Sequence, residues 1–201
     1  MNRSLIVDYV GSFHYTPQQI NEAMSNNGGK LILTGPLQRY GSTNQNLRVY
    51  PEDILKRESV KYKSTYISEN RALGELDHPE SSVVNLSNVS HNMLDLWWDG
   101  NTLMGKLEIL PTPSGNIAKS LLQAGIKLGI SSRGMGSVRE LGEGKVEVQD
   151  DFEIICWDLV SNPSTQGAFM SPLQESANKK NVNASKYASI NSLVTDIISL
   201  L

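Results

Sequence analysis

Residues 93–110 read MLDLWWDGNTLMGKLEIL, and the fold class follows from how they are parsed. Two apolar runs, Met93 to Trp98 and Leu103 to Leu110, flank Asp99-Gly100-Asn101, a sequence suited to a tight turn, so the stretch predicts two antiparallel strands joined as a hairpin. Upstream, residues 5–10 and 30–34 (KLILT) also read as strands, with Asn26, Asn27, Gly28 and Gly29 supplying turn chemistry between them. Tyr50-Pro51-Glu52-Asp53 opens a helix running to about Val60, because proline is tolerated in a first turn and acidic side chains there suit the helix dipole. A loop is expected around Gly74 to Ser82.

Downstream of the hairpin, Pro111, Pro113 and Gly115 break the chain before an amphipathic helix near Asn116 to Ala124. Residues 125–136 then hold four glycines around Ile130-Ser131-Ser132-Arg133, which reads as a glycine-rich loop. Segments 145–149 and 152–160 read as strands, the second ended by Asn162-Pro163-Ser164. The mixture of helix and strand predicts an α+β or α/β architecture.

The expected organisation is one globular domain over residues 1–170, a polar linker over 171–183 and an amphipathic C-terminal helix over 184–201. Tyr187, Ile190, Val194, Ile197 and Leu201 recur at three- and four-residue spacing and give that helix one apolar face.

With 201 residues and 39% hydrophobic content, the chain is long enough to bury a core. A net charge of -3 with scattered Lys and Arg gives no electrostatic footprint for nucleic acid or an anionic membrane. The single Cys156 excludes an intrachain disulfide and Cys-rich metal sites, and MNRSLIVDYV lacks a signal pattern, so a cytoplasmic setting is expected. Neither an HExxH motif nor a phosphate-binding glycine loop is present, and no cofactor is expected.

Three histidines, His14, His78 and His91, are the only imidazoles available as a general base. His78 lies in Gly74-Glu75-Leu76-Asp77-His78-Pro79, a polar stretch stiffened by proline, whereas His14 and His91 read as bystanders. Ser131 and Ser132 lie among small residues that allow close backbone approach, and a serine hydroxyl needs a neighbouring base to become a nucleophile. A third, acidic group must orient the histidine; Asp158, Glu153, Asp77 and Glu75 all qualify by residue type. The rival nucleophile, Cys156, sits in Ile154-Ile155-Cys156-Trp157, which reads as a buried strand where a thiol is inert.

In order, NQNLRVYPEDIL, ALGELDHP, DLWWDGNTLMGKLEIL, AGIKLGISSRGMGSV and VQDDFEIICWDLVSNPS resemble segments of the prohead core proteases of T-even-like tailed bacteriophages, over roughly Leu31 to Pro172. The resemblance implies a small β-barrel wrapped by helices, similar to herpesvirus assemblin, and a serine endopeptidase. Its motifs fall on His78 as general base, Ser131 as nucleophile and, more loosely, Asp158 as third member. Oxyanion donors are expected near Arg133 and Gly134 or in the Asn162 to Thr165 loop.

The resemblance further implies substrates among scaffolding core proteins, the major capsid protein and the chain itself, cut after Glu in (Leu/Ile)-x-Glu. It also implies a homo-oligomer acting inside the assembling prohead in the host cytoplasm, while the scattered charge already gives the expectation of no nucleic-acid or membrane partner. Ile20-Asn21-Glu22, Ile67-Ser68-Glu69, Leu73-Gly74-Glu75, Leu141-Gly142-Glu143 and Leu173-Gln174-Glu175 match the motif. Glu175 is the self-cleavage candidate, because a linker can enter a cleft without unfolding a core. The rival reading is a non-catalytic capsid or scaffold-core component that keeps the protease fold.

Overall fold

The structure is a computed structural model and describes residues 3–8, 16–161 and 171–172. The hairpin forms as expected: β5 (Val89–Asp99) pairs antiparallel with β6 (Thr102–Ile109), Asp99 opposite Thr102 across the turn. On the outer edge of β6 lies β2 (Leu31–Arg39), followed by β11 (Ser171–Pro172); on the outer edge of β5 lies β4 (Leu73–Glu75). Leu31, Leu33, Leu103 and Leu107 alternate with more exposed neighbours and fill the core. A bulge between Met93 and Asp95 shifts the alternation by one residue, so that Leu96 turns inward and Asp95 outward.

A second sheet places β7 (Gly129–Gly136) between β1 (Ser4–Asp8) and β10 (Glu153–Val160), both antiparallel to it. A third contains β3 (Arg48–Val49), β8 (Val138–Gly142) and β9 (Lys145–Val148). The sequence reading of residues 129–136 as a loop is thus corrected: they form a buried strand paired on both edges. Its glycines answer to packing instead of turning. A Cβ on Gly134 would lie 2.5 Å from Phe152 Cε2 and 2.7 Å from the Glu153 carbonyl oxygen, so only a residue without a side chain lets β10 approach there.

Three α-helices cover the sheets among the described residues. The first, α1 (Pro17–Asn26), was absent from the sequence reading, although Thr16 and Gln19 form a reciprocal capping box, Pro17 opens the helix, and Ile20 and Ala23 bury its inner face. The second, α2 (Glu52–Tyr62), starts with Glu52 and Asp53 in its first turn and runs on as a π-helical segment, Lys63–Ile67. The third, α3 (Pro113–Gln123), begins three residues earlier than expected, because the Thr112 side chain caps it by accepting from Gly115 N. No helix among the described residues is long and apolar enough to cross a membrane.

The architecture is mixed α+β, mostly strands with few helices. The described strands form three sheets, and no hydrogen-bonded ladder among them closes into a barrel. Two of the sheets meet where Leu76, just past β4, forms a parallel bridge with Leu159 of β10. Ser171 and Pro172, the first residues of the expected linker, still pair with Thr34 and Leu33. The remainder of that linker, the expected C-terminal helix and Glu175 lie outside the described residues.

Candidate active site

The junction between β4 and β10 assembles the chemistry. Gly74 lets β4 press onto its neighbours: a Cβ there would overlap the Trp157 carbonyl oxygen and the His91 ring. Two residues past β4, Asp77 donates its N–H to the Leu159 carbonyl at 2.7 Å and adopts a left-handed φ of 70°. That conformation costs about 1 kcal/mol for most residues and least for Asn and Asp. The Asp77 side chain accepts from His78 N at 2.9 Å, so the reversal is capped locally and swings His78 over β10.

His78 Nδ1 meets Asp158 Oδ2 at 2.8 Å. Asp158 is fully buried, and its carboxylate is saturated with donors. Oδ2 also accepts from Arg133 Nε at 2.9 Å, while Oδ1 accepts from Glu75 N at 3.0 Å, Arg133 Nη2 at 3.1 Å and Cys156 Sγ at 3.3 Å. Burial by itself would raise the Asp158 carboxyl; the bond from His78, the Arg133 charge and the Glu75 N–H outweigh it and hold the carboxyl below its ordinary value. Asp158 is therefore ionised at neutral pH, and His78 Nδ1 carries the hydrogen it receives.

Ser131 is the Cα partner of Asp158 across β7 and β10. Strand alternation gives Ser131 and Arg133 one face of β7 and Ser132 the other. Ser132 accordingly bonds Tyr50, whose hydroxyl also meets the Asp8 carboxylate together with Arg48. Ser131 Oγ donates to the Asp8 main-chain carbonyl, and the serine is fully buried.

The four acidic residues that sequence left open separate here. Glu153 is half exposed and pairs with Lys61 and Arg3. Asp77 serves the local turn, and Glu75 bonds Arg133 at 2.7 Å; Asp158 is the one bonded to the His78 ring. Arg133, expected near an oxyanion hole, has its guanidinium committed to Asp158, Glu75 and the Ser81 carbonyl, and the backbone of Arg133 and Gly134 lies within a doubly paired strand. The Asn162 to Thr165 loop lies outside the described residues, as does His14.

His91 lies inside β5, fully buried, with Nδ1 2.9 Å from Ser90 Oγ and Nε2 3.0 Å from the Trp157 carbonyl. A carbonyl only accepts, so Nε2 carries the hydrogen and Nδ1 accepts from Ser90. Burial lowers its pKa to about 4, which keeps the ring neutral. Burial and the neighbouring Asp158 charge push the Cys156 thiol well above its usual range, leaving it protonated and a poor nucleophile. No group of three or more His, Cys, Asp or Glu among the described residues is placed to hold a metal.

Comparisons of the chain with known proteins find related sequences and a related fold. The prohead core protein protease of Enterobacteria phage T4 is 31% identical over 146 residues, covering 71% of this chain and 68% of that protein. The solved structure of the bacteriophage T4 capsid assembly protease, gp21, matches with a TM-score of 0.68 at 25% identity, covering 81% of this chain and 100% of that one. A family model described as prohead core protein serine protease matches residues 17–178, and the chain belongs to that family.

Proposed function

We propose that the chain is a serine endopeptidase that matures a phage prohead, with Ser131 as nucleophile, His78 as general base and Asp158 as the residue that orients it. The observation carrying this reading is the His78–Asp158 bond of 2.8 Å beside the Ser131–Asp158 strand pair. With Nδ1 held by Asp158, Nε2 is the ring nitrogen that takes the Ser131 proton as Oγ attacks the scissile carbonyl carbon. Asp158 stays a carboxylate and stabilises the imidazolium. Collapse of the tetrahedral intermediate expels the amine, which takes the proton from Nε2, and water then hydrolyses the acyl-serine by the same route. The strand pairing of Arg133 and Gly134 on both edges disfavours their N–H groups as oxyanion donors, which leaves the Asn162 to Thr165 loop as the candidate.

The substrates proposed are scaffolding core proteins, the major capsid protein and the chain itself, cut after Glu in (Leu/Ile)-x-Glu, inside the assembling prohead in the host cytoplasm. The likeness to a T4 capsid assembly protease supports that setting. A homo-oligomer, and the division into a protease domain (1–170), linker (171–183) and C-terminal helix (184–201), belong to the same proposal. So does an assemblin-like barrel, which the Leu76–Leu159 bridge between two sheets supports. Of the five motif matches, Leu73-Gly74-Glu75 forms β4 with Glu75 buried, which disfavours it as a cleavage site; Glu175 is the self-cleavage candidate because a polar linker can enter a cleft without unfolding a core.

Intact mass of the unaltered chain and of Ser131→Ala, after concentration and incubation, tests the reading. Loss of mass in the unaltered chain alone, with a new terminus after Glu175, supports self-processing. Loss of the same piece by both points to a contaminating protease and gives the assignment no support. If neither changes mass, co-expression with scaffold and capsid proteins repeats the comparison on the proposed substrates.

A further inference from the structure

Glu75 is fully buried, and its carboxylate is the second negative group on a single guanidinium. Its Oε1 accepts from Arg133 Nη2 at 2.7 Å and from Asn85 N at 3.0 Å. The Asn85 bond spans ten residues and closes the base of the loop that carries His78. Arg133 Nη1 grips the same loop at the Ser81 carbonyl, 2.8 Å away.

The charges around His78 constrain what this arrangement does. Asp158 and Cys156 come from β10, Arg133 and Ser131 from β7, Glu75 from β4, His91 from β5, and Asp77 from the His78 loop itself. Cys156 and His91 are neutral, and Asp77 caps the turn. If Asp158 met Arg133 alone, the guanidinium would cancel the carboxylate, and His78 would see little net negative charge as it becomes an imidazolium. Glu75 shares that guanidinium and restores one net negative charge to the trio. In a buried site, where screening is weak, one such charge decides whether proton uptake is favoured.

We propose that Glu75 is a positioning residue: through Arg133 it leaves Asp158 an effective anionic partner for His78, and through Asn85 it fixes the loop on which His78 sits. The inference rests on the Ser131–His78–Asp158 reading. Glu75 touches no reacting atom and acts only through its neighbours.

The test is imidazole NMR titration of the full chain, whose three histidines give a spectrum simple enough to assign by single replacements. Glu75→Gln keeps shape and removes charge, so the His78 midpoint should fall by about one pH unit, a roughly tenfold loss of proton affinity. Glu75→Asp, which keeps the charge, should recover most of that shift. The acid limb of the pH profile for fluorophosphonate labelling should move to lower pH in Glu75→Gln by a similar amount. An unchanged His78 midpoint in a folded Glu75→Gln protein overturns the proposal.

Should Glu75→Gln fail to fold, the 13C shift of the Glu75 carboxyl in the unaltered protein decides instead, and a protonated Glu75 at neutral pH overturns it. Labelling that survives Ser131→Ala, with the His78 midpoint still shifted by Glu75→Gln, would sink the triad reading and leave the electrostatic link standing.

Discussion

Ser131 Oγ donates its single hydrogen to the main-chain carbonyl of Asp8, so in this state the hydroxyl serves β1 and not an imidazole. A serine has one O–H, and general-base catalysis requires that hydrogen to point at the base. In the proposed triad, nucleophile and orienting acid would share a strand pair while the proton is held by Asp8.

The Asp8 carboxylate pins that carbonyl in place by accepting from Tyr50, Arg48 and Asn46. Asp8→Asn should weaken the anchor, costing about 1–3 kcal/mol of stability, and should raise the rate of fluorophosphonate labelling of Ser131 several-fold. Labelling kinetics and a thermal melt check both halves. A lower Tm with an unchanged labelling rate would show that the Asp8 contact does not restrain the serine.

Stability should fall in mild acid through His91. Its pKa is about 4 in the folded chain against about 6.5 when unfolded. Between those values the unfolded state binds the extra proton. The contribution is thus complete above pH ~6.5, declines as pH drops, and is exhausted near pH ~4, for a total of about 3 kcal/mol. Urea unfolding from pH 7 to 4 measures the slope, and His91→Gln should flatten it.

Cys156 is buried, and its thiol is held protonated by its surroundings. Native protein should therefore resist iodoacetamide until it is unfolded, and Cys156→Ala should keep fluorophosphonate labelling of Ser131 within about threefold, the loss of a small buried group being local. A Cys156→Ala protein that folds but no longer labels would reinstate the thiol as a participant.

Much of this site was legible as residue types, and little of it as geometry. The tight-turn residues 99–101 fixed the hairpin because turn chemistry is local. Residues 129–136 misled: glycines are common in loops, and here they answer to Phe152, which lies sixteen residues or more downstream. The capping box of α1 is present in the sequence at Thr16 and Gln19, yet the sequence reading of this stretch takes in only the turn residues 26–29. Among four possible acidic partners for His78, the choice depended on β10 crossing β4 at Leu159, a contact more than eighty residues apart in the chain. Glu75 and Arg133 were visible as charges, yet nothing local says that they are buried together.

Ser131 and Ser132 are chemically identical neighbours, and strand alternation separates their roles. Ser131 shares a face of β7 with Arg133 and is opposed by Asp158, whereas Ser132 faces Tyr50 and is opposed by Trp157. Ser131→Ala should abolish labelling and self-processing, and it too loses a buried hydrogen bond, the one to the Asp8 carbonyl, at a similar cost of about 1 kcal/mol. Ser132→Ala loses a buried hydrogen bond to Tyr50, a cost of about 1 kcal/mol, but should still label at Ser131. Because a slip of one residue in the β7 register would exchange the two faces, this pair of variants tests the strand assignment and the nucleophile together. If Ser132→Ala proves the inactive variant, the register of β7 against β10 is wrong by one, and with it the pairing of Ser131 with Asp158.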